Sequence, residues 1–251
     1  VMLKSDGTNM IAASGSGARA AMVVSINRID NSTASAQIAS VSLMDNVSVT
    51  VSNYCAATGG GYVLVAVDNQ SDLHSATAEE HVEFYGGLYT GSALPFLGGD
   101  NVSGKFQLDN ATIGVCDMAY GNVPSTFWYM TDNGSDGVHG LKTTDNGSTW
   151  ALITDTGGDG EVIAGNTDSI SITVDPVDNQ LVACGNDDGA LFAKKLVDNA
   201  TWTDLAPQIG DATNGTAVDC AYNSDGTKVI MSYITNGTLT QSANFRIFYD
   251  D

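Results

Sequence analysis

Basic residues are scarce in this sequence. Nine Lys and Arg stand against 29 Asp and Glu, which gives a formal net charge of -20 at pH 7. A surface this acidic repels nucleic acid and anionic lipid headgroups, so neither is an expected partner. It keeps a Lys-poor chain soluble, and it attracts cations and basic surfaces.

Glutamate is nearly absent as well, because only Glu79, Glu80, Glu83 and Glu161 occur and every other acidic residue is Asp. Asp, Asn, Gly, Ser and Thr form turns, whereas the Glu-, Lys- and Leu-rich patterns of helices are missing. The composition therefore predicts an all-β chain of short strands joined by tight turns.

Long apolar runs and cysteine motifs are also missing. Ser, Asn or Asp interrupts the most apolar stretches within a few residues, so we expect no membrane insertion. The chain begins at Val1 without a signal peptide, and we expect that an upstream segment was removed or lies outside this sequence. The cysteines form no C-x-x-C pair and fit either buried free thiols or one or two disulfides: Cys55, Cys116, Cys184 and Cys220.

A short apolar strand preceded by a turn recurs along the chain. "SDGT" opens this unit at residues 5–8 and again at 224–227. The centres of the recurring strands are about 50 residues apart, a period that suits four-stranded propeller blades. They are Ile11, Val65, Tyr129, Val182 and Ile230. We predict one β-propeller domain of about five blades over residues 1–251, with a β-sandwich as the alternative.

The ends of the chain look incomplete for a closed propeller. After "NFRIFYDD" at 244–251 no outer strand follows. We therefore expect that the domain belongs to a longer chain or an assembly, or that a partner chain supplies the missing strand.

The stretch "TTDNGSTW" at 143–150 has polar, Gly and Trp residues at fixed spacing. It resembles the Asp-box, or BNR repeat, of sialidase-like β-propellers, whose pattern is Ser/Thr-x-Asp-x-Gly-x-Thr-Trp. The signature positions are Thr143, Asp145, Gly147, Thr149 and Trp150. The resemblance implies a hairpin on the outer rim, in which Asp accepts backbone hydrogen bonds, Gly takes the turn and Trp packs between sheets. Its role is in folding, so we assign these residues no catalytic function.

A degraded second copy, "LVDNATW" at 196–202, lacks the Gly and is one residue short. Sialidases also require three arginines that clamp a carboxylate. Arg19, Arg28 and Arg246 are the only arginines, and nothing in the sequence brings them together. The resemblance therefore supports the fold more than the sialidase reaction.

Asp117 and Asp219 each lie beside a Cys in strands that we interpret as innermost, where they would line a propeller channel. Glycosidases of other Asp-box families use two carboxylates placed across a sugar, and these two are the candidates. The alternative is that both are structural residues bonded to backbone donors.

A metal site is a further candidate. Gly-rich turns bring oxygen ligands close together and indicate Ca²⁺ binding by Asp132, Asp136, Asp155 and Asp159. No other cofactor is indicated, because the three histidines lack metal-ligand spacing and no phosphate loop is present.

The long segment 69–104 is the best place for a ligand-contacting insertion. Tyr85, Tyr89 and Phe96 are candidates for stacking on sugars, with core packing as the alternative for each. Ten Asn-x-Ser/Thr sequons predict a glycoprotein if the chain is secreted: Asn31, Asn46, Asn69, Asn101, Asn110, Asn133, Asn146, Asn199, Asn214 and Asn236.

Taken with the turn-rich, acidic composition, these patterns predict a non-catalytic recognition or assembly module outside the cell, on a cell surface or on a virion. Its loops would bind a glycan or a protein surface. Two alternatives stay open. One is a structural component of a virion, filament or surface layer that contacts other subunits, and the other is an Asp-box-type glycoside hydrolase.

Overall fold

The computed structural model describes the backbone of the strands and the turns between many of them. The described residues are 2–5, 10–18, 21–29, 36–44, 51–69, 81–88, 96–98, 116–132, 138–153, 161–163, 167–187, 190–197, 201–205, 207–209, 216–235 and 242–250. Side chains are described for 55–66, 84–88, 97, 116–131, 138, 140–153, 169–186, 191–197, 201–205, 219–234, 247, 248 and 250.

All regular structure among the described residues is β-strand, arranged in five sheets. The first sheet has the order β1 (Met2–Ser5), β2 (Met10–Ala18), β3 (Ala21–Ile29) and β4 (Ala36–Met44). The second has β5 (Val51–Gly59), β6 (Tyr62–Asn69), β7 (His81–Leu88) and β8 (Phe96–Gly98). No helix capable of crossing a membrane occurs in this part of the chain.

The other three sheets follow the same plan with local additions. The third has β9 (Cys116–Tyr120), β10 (Phe127–Asp132), β11 (Val138–Thr143) and β12 (Ala151–Leu152), and β13 (Glu161–Ile163) also pairs with β11. The fourth has β14 (Thr167–Val174), β15 (Leu181–Asp187), β16 (Ala190–Val197) and β17 (Thr201–Asp204). The fifth has the order β18 (Pro207–Ile209), β21 (Ser242–Tyr249), β20 (Lys228–Thr235) and β19 (Thr216–Tyr222).

In the first four sheets, the recurring strand of the sequence is the second strand in chain order. In the fifth sheet it is the third, because β18 precedes β19 and β20. Ile11, Val65, Tyr129, Val182 and Ile230 lie in β2, β6, β10, β15 and β20. In the second to fifth sheets, the described connection that precedes this strand is short and contains Gly, Asp or Asn. The predicted four-stranded unit is therefore confirmed, and the number of blades stays a prediction.

The fifth sheet differs from the expectation that its outer strand is missing. β18, which precedes β19 in the chain, pairs antiparallel with β21 through Pro207 opposite Phe248 and Ile209 opposite Ile247. Proline is tolerated at the first residue of an edge strand because it has no N–H to donate. The chain thus supplies this outer strand itself, and a partner chain is not required there.

The contacts divide the chain into two compact units. The first comprises Val1–Thr112, Pro124–Phe127 and Thr143–Ala151, and the second comprises Ile113–Val123, Trp128–Lys142 and Leu152–Asp251. Buried apolar side chains fill both, including Leu64 and Phe84 in the first and Trp128 and Met231 in the second. Burial of this apolar surface is the main term that stabilises the sheets.

Both alternatives for the cysteines occur in the chain. Cys55 and Cys116 are disulfide-bonded. Cys184 and Cys220 are buried free thiols in the second unit.

Candidate functional site

The inner strands of three sheets pack together in the second unit. β14 lies against both β9 and β19, and each strand contributes a polar residue to one cluster. Asp117 comes from β9, Ser171 from β14 and Asp219 from β19, and we call these three residues the Ser171 cluster. The strands form because apolar residues surround each polar residue, as in "GVCDMAY" and "SISITV".

The Ser171 hydroxyl is the centre of this cluster. Its Oγ lies 3.2 Å from Oδ2 of Asp117 and 3.0 Å from Oδ1 of Asp219. It also accepts a hydrogen bond from the backbone N–H of Cys220 at 3.2 Å. Because a serine hydroxyl carries one proton, it donates to only one of the two carboxylates at a time.

Asp117 has the environment of a structural residue. Its side chain is buried, its Oδ1 accepts from the N–H of Met118 at 2.8 Å, and its Oδ2 accepts from the N–H of Ile172 at 2.9 Å. The second of these bonds ties β9 to β14 across two sheets. This is the alternative that the sequence left open for Asp117.

Asp219 has a different environment, because it is exposed to solvent. In the described part of the chain, Ser171 is the only residue that hydrogen-bonds its carboxylate. An exposed carboxylate whose position is set by a buried hydroxyl is available to an external ligand. Of the two predicted carboxylates, Asp219 is therefore the one that a ligand can contact.

The structure brings the two carboxylates close together. Because both bond the same Oγ, Oδ2 of Asp117 and Oδ1 of Asp219 are at most about 6 Å apart. The sequence predicted the two Asp residues but missed Ser171. The available signal was the position of Ser171, which shares a pattern with Asp117 and Asp219. Each is followed three residues later by an apolar or aromatic residue, namely Val174, Tyr120 and Tyr222 respectively.

The stretch at 143–150, which we call the Asp-box turn after the motif that it resembles, forms a tight turn between β11 and β12. Oδ1 of Asp145 accepts from the N–H of Thr149 at 2.8 Å and from the hydroxyl of Thr143 at 2.7 Å, and its Oδ2 accepts from the hydroxyl of Thr149 at 2.6 Å. Burial raises the pKa of Asp145, but the bonds from Thr149 and Thr143 outweigh it and lower the pKa below its usual value. Both oxygens of the Asp145 carboxylate thus accept hydrogen bonds from residues of its own turn.

Gly147 and Trp150 complete this turn. Gly147 has φ of +86°, and its N–H donates to Oγ1 of Thr143 at 2.9 Å. A Cβ at Gly147 would lie 2.8 Å from Leu64, so only glycine fits the conformation and the space. Trp150 is buried and stacks on Phe84 of β7, with ring centroids 4.1 Å apart.

The predicted aromatic contacts to a ligand have mixed outcomes. Tyr85 is buried in β7 and belongs to the core, which was the alternative for it. Phe96 begins β8, but its side chain is outside the described set, and Tyr89 lies outside the described residues altogether. Stacking on sugars stays a prediction for these two.

The Ca²⁺ prediction falls largely outside the described residues. Asp136, Asp155 and Asp159 are not among them, and Asp132 ends β10 with its side chain undescribed. Among the residues that were described, no three His, Cys, Asp or Glu side chains are grouped so that they could hold a metal ion.

A second polar cluster was missed entirely by sequence reasoning. Lys195 of β16 has an ammonium group that lies 3.2 Å from Asp175, 3.3 Å from Asp178 and 2.5 Å from Asp250. The hydroxyl of Tyr222 donates to the same Oδ2 of Asp250 at 2.7 Å. We call these five residues the Lys195 cluster. It joins the fourth sheet to the C-terminal end of the fifth.

The charges of the Lys195 cluster act on one another. Burial lowers the pKa of Lys195, but the bonds to Asp250 and Asp175 outweigh it and raise the pKa above its usual value. Burial raises the pKa of Asp175, but the N–H of Val177 and the ammonium of Lys195 lower it overall. The side chains of Lys195, Asp175 and Asp250 are mostly buried, so these three charges are paired with one another and largely shielded from solvent.

Comparison with known proteins gives structural neighbours only. No family model matches the sequence, and no curated protein matches it. An α-L-arabinofuranosidase from Fusarium graminearum, bound to an iminosugar inhibitor, aligns with 97% of this chain and 74% of its own at a TM-score of 0.58 and 10% identity. An α-L-arabinanase from Penicillium chrysogenum, complexed with arabinobiose, aligns with 97% and 71% at a TM-score of 0.52 and 10% identity.

These neighbours are β-propeller glycosidases. The chain has a β-propeller fold. The predicted fold class is therefore confirmed over the β-sandwich alternative. At 10% identity this similarity establishes the fold alone and does not establish an activity for this chain.

Proposed function

We propose that this propeller is a glycoside hydrolase and that Asp219 is one of its catalytic carboxylates. The observation that carries the proposal is the hydrogen bond from buried Ser171 to exposed Asp219 on an inner strand, with Asp117 on the same hydroxyl. The fold neighbours act on arabinose-containing glycans, and this supports the alternative of a hydrolase over a module without activity.

The two carboxylates would have different roles in this chemistry. Glycosidases use a pair of carboxyl groups that flank the scissile bond, and Asp219 would be one of that pair because its side chain is exposed. Asp117 is buried and bonded to backbone N–H groups, so it would act through Ser171 as a positioning residue and not as the second catalytic carboxylate.

Ser171 sets the orientation of Asp219 in this proposal. When its proton is donated to Asp219, one carboxylate oxygen is held and the other faces solvent. When the proton is donated to Asp117, the Asp219 carboxylate is released from the bond. The hydroxyl thus couples an exposed carboxylate to a buried one, which is how a catalytic carboxylate is kept in place by its surroundings.

The experiment is a hydrolysis screen with matched variants. Purified chain is incubated with arabinan, arabinobiose, aryl α-L-arabinofuranoside and a panel of other aryl glycosides, and released sugar is measured. We expect Asp219→Asn to lower kcat/KM by roughly 10²–10⁴-fold on any substrate that is cleaved. Asp204→Asn is the control, because Asp204 is an exposed Asp that pairs with Lys194 on β16 and lies outside the Ser171 cluster.

Glycan binding without hydrolysis is the second candidate. The burial of Asp117 and its bonds to backbone N–H groups favour it, because a carboxylate used in this way does not reach a sugar. In that case a glycan array shows binding that Asp219→Asn weakens, while no substrate is cleaved. Absence of both activity and binding across the panel would refute either glycan function and favour a structural component of a virion, filament or surface layer.

We also propose a location for the protein. An acidic propeller that acts on or binds polysaccharide fits a location outside the cell or on a cell or virion surface. Expression in a glycosylating host followed by mass measurement tests the predicted glycoprotein character. Asn146 is the one sequon whose side chain is described, and it is half-buried in the Asp-box turn.

A further inference from the structure

Two free thiols lie against each other behind the Ser171 cluster. Cys184 of β15 and Cys220 of β19 belong to one buried cluster of the second unit. Cys184 stands opposite Ser171 in the β14–β15 pairing. Cys220 donates its Sγ–H to the carbonyl oxygen of Ser171 at 3.5 Å.

The two thiols come from different sheets. Residue 184 is in the fourth sheet and residue 220 is in the fifth, and both are held next to Ser171 of β14. Because β15 and β19 are in contact and both cysteines lie beside the same residue, a small movement brings the two sulfur atoms within reach of a disulfide.

We propose that Cys184 and Cys220 close to a disulfide joining β15 to β19 when the chain folds under oxidising conditions. The oxidant is a small-molecule disulfide such as oxidised glutathione. The Cys220 thiolate attacks one glutathione sulfur and releases one glutathione thiolate. The Cys184 thiolate then attacks the sulfur of Cys220 in the mixed disulfide and releases the second. The two cysteines lose two protons and two electrons, and two molecules of glutathione are formed.

Burial decides when this reaction takes place. Cys184 is fully buried and Cys220 is 5% exposed, so the oxidant reaches them only when the core opens or while the chain folds. Burial and the neighbouring Cys220 thiol raise the pKa of the Cys184 thiol well above its usual value, which slows the second attack in the closed protein. The folded, reduced protein is therefore stable towards oxidation, whereas refolding in an oxidising buffer forms the bond.

Mass spectrometry of the full chain tests the proposal directly. Protein is unfolded with reductant, refolded in buffers of graded oxidised to reduced glutathione, and alkylated under denaturing conditions. Trypsin separates the four cysteines, because its cleavage after Lys and Arg puts each one in a different peptide: 29–105, 106–142, 143–194 and 196–228. We expect a cross-linked pair of peptides 143–194 and 196–228 in oxidising buffer and two alkylated peptides in reducing buffer.

Thermal unfolding gives a second measurement. The cross-link raises Tm by roughly 5–15 °C, since a bond closing a loop of this length restricts the unfolded chain. The rise is measured against Cys184→Ser and Cys220→Ser refolded in the same oxidising buffer, because Cys55 and Cys116 are also disulfide-bonded and oxidise in every sample. Each variant should leave one alkylated thiol and melt below the unaltered chain, while the peptide map of the unaltered chain needs neither variant to fold.

Two outcomes overturn the proposal. Peptides 143–194 and 196–228 that stay fully alkylated in the most oxidising buffer show that the pair does not oxidise. Cross-links from either peptide to 29–105 or 106–142, in place of the bond between them, show that the observed proximity does not direct pairing.

Discussion

Trp150 stacks on Phe84, with ring centroids 4.1 Å apart and ring planes inclined by 25°. Both rings are buried in the first unit, where Phe84 lies in β7 and Trp150 directly precedes β12. The Asp-box turn ends at Trp150, so a local turn delivers an aromatic ring to a neighbouring sheet. A turn of eight residues therefore contributes to the packing of β7 in the first unit.

Replacing Trp150 removes this contact. We expect Trp150→Ala to lower the free energy of unfolding by about 3–5 kcal/mol, because a large buried ring is lost and a cavity is left. Urea denaturation followed by circular dichroism measures the change. Trp150→Phe keeps an aromatic partner for Phe84 and should lose clearly less. Equal stability of Trp150→Ala and the unaltered chain would contradict the packing role.

Asp117 and Asp219 should respond differently to the same substitution. In Asp117→Asn an amide NH₂ replaces one oxygen that accepts from Met118 or Ile172, so a buried N–H loses its acceptor and the chain loses about 1–3 kcal/mol. Asp219→Asn changes an exposed group and should stay within about 0.5 kcal/mol. Urea midpoints of both variants test this, and a larger loss for Asp219→Asn would reverse the two assignments.

The Lys195 cluster predicts how stability depends on pH. The pKa of Asp175 is lowered in the folded state, so its contribution is present above its unfolded pKa and is lost as the pH falls through the folded value. The pKa of Lys195 is raised, so its contribution is complete below its unfolded pKa and is lost as the pH rises through the folded value. Stability measured by urea denaturation should be level near neutral pH and fall at both extremes.

Removing the Lys195 ammonium should reverse the acid side of this pH dependence of stability. Lys195→Met leaves Asp175, Asp178 and Asp250 without a counter-charge and should cost roughly 3–5 kcal/mol at neutral pH. Acidification then relieves the repulsion, so this variant should gain stability as the pH falls towards 5 while the unaltered chain does not. Lys194→Met is the control, since its exposed ion pair with Asp204 should be worth under about 1 kcal/mol.

Two glycines with similar backbone angles should differ in their tolerance of alanine. Gly61 has φ of +78° and a Cβ there would meet nothing within 4 Å. Gly226 has φ of +75°, and a Cβ there would lie 2.6 Å from Oδ1 of Asp175. Gly61→Ala should cost about 1–2 kcal/mol for the left-handed conformation alone. Gly226→Ala should cost about 1–3 kcal/mol more because Asp175 must move. Thermal unfolding of the pair measures the difference, and equal losses would exclude crowding at Gly226.

Local features of the fold could be read from the sequence. Turn residues between apolar runs indicate strands, because Gly, Asp and Asn accept the conformations that turns need. The Asp-box turn is local too, since Asp145 bonds to residues at most four positions away. These features are local, so the composition and spacing of short segments determined the strands, the repeating unit and this hairpin.

Contacts between distant residues were decided by the tertiary structure alone. Ser171 meets Asp117 and Asp219 across separations of 54 and 48 residues, and Lys195 meets Asp250 across 55. β18 takes the outer place of the fifth sheet although it precedes β19 in the chain. Such contacts depend on how sheets pack and on register, and a change of one residue in register turns each side chain to the other face of its strand. The sequence by itself determined which residues could take part, and packing decided which of them met.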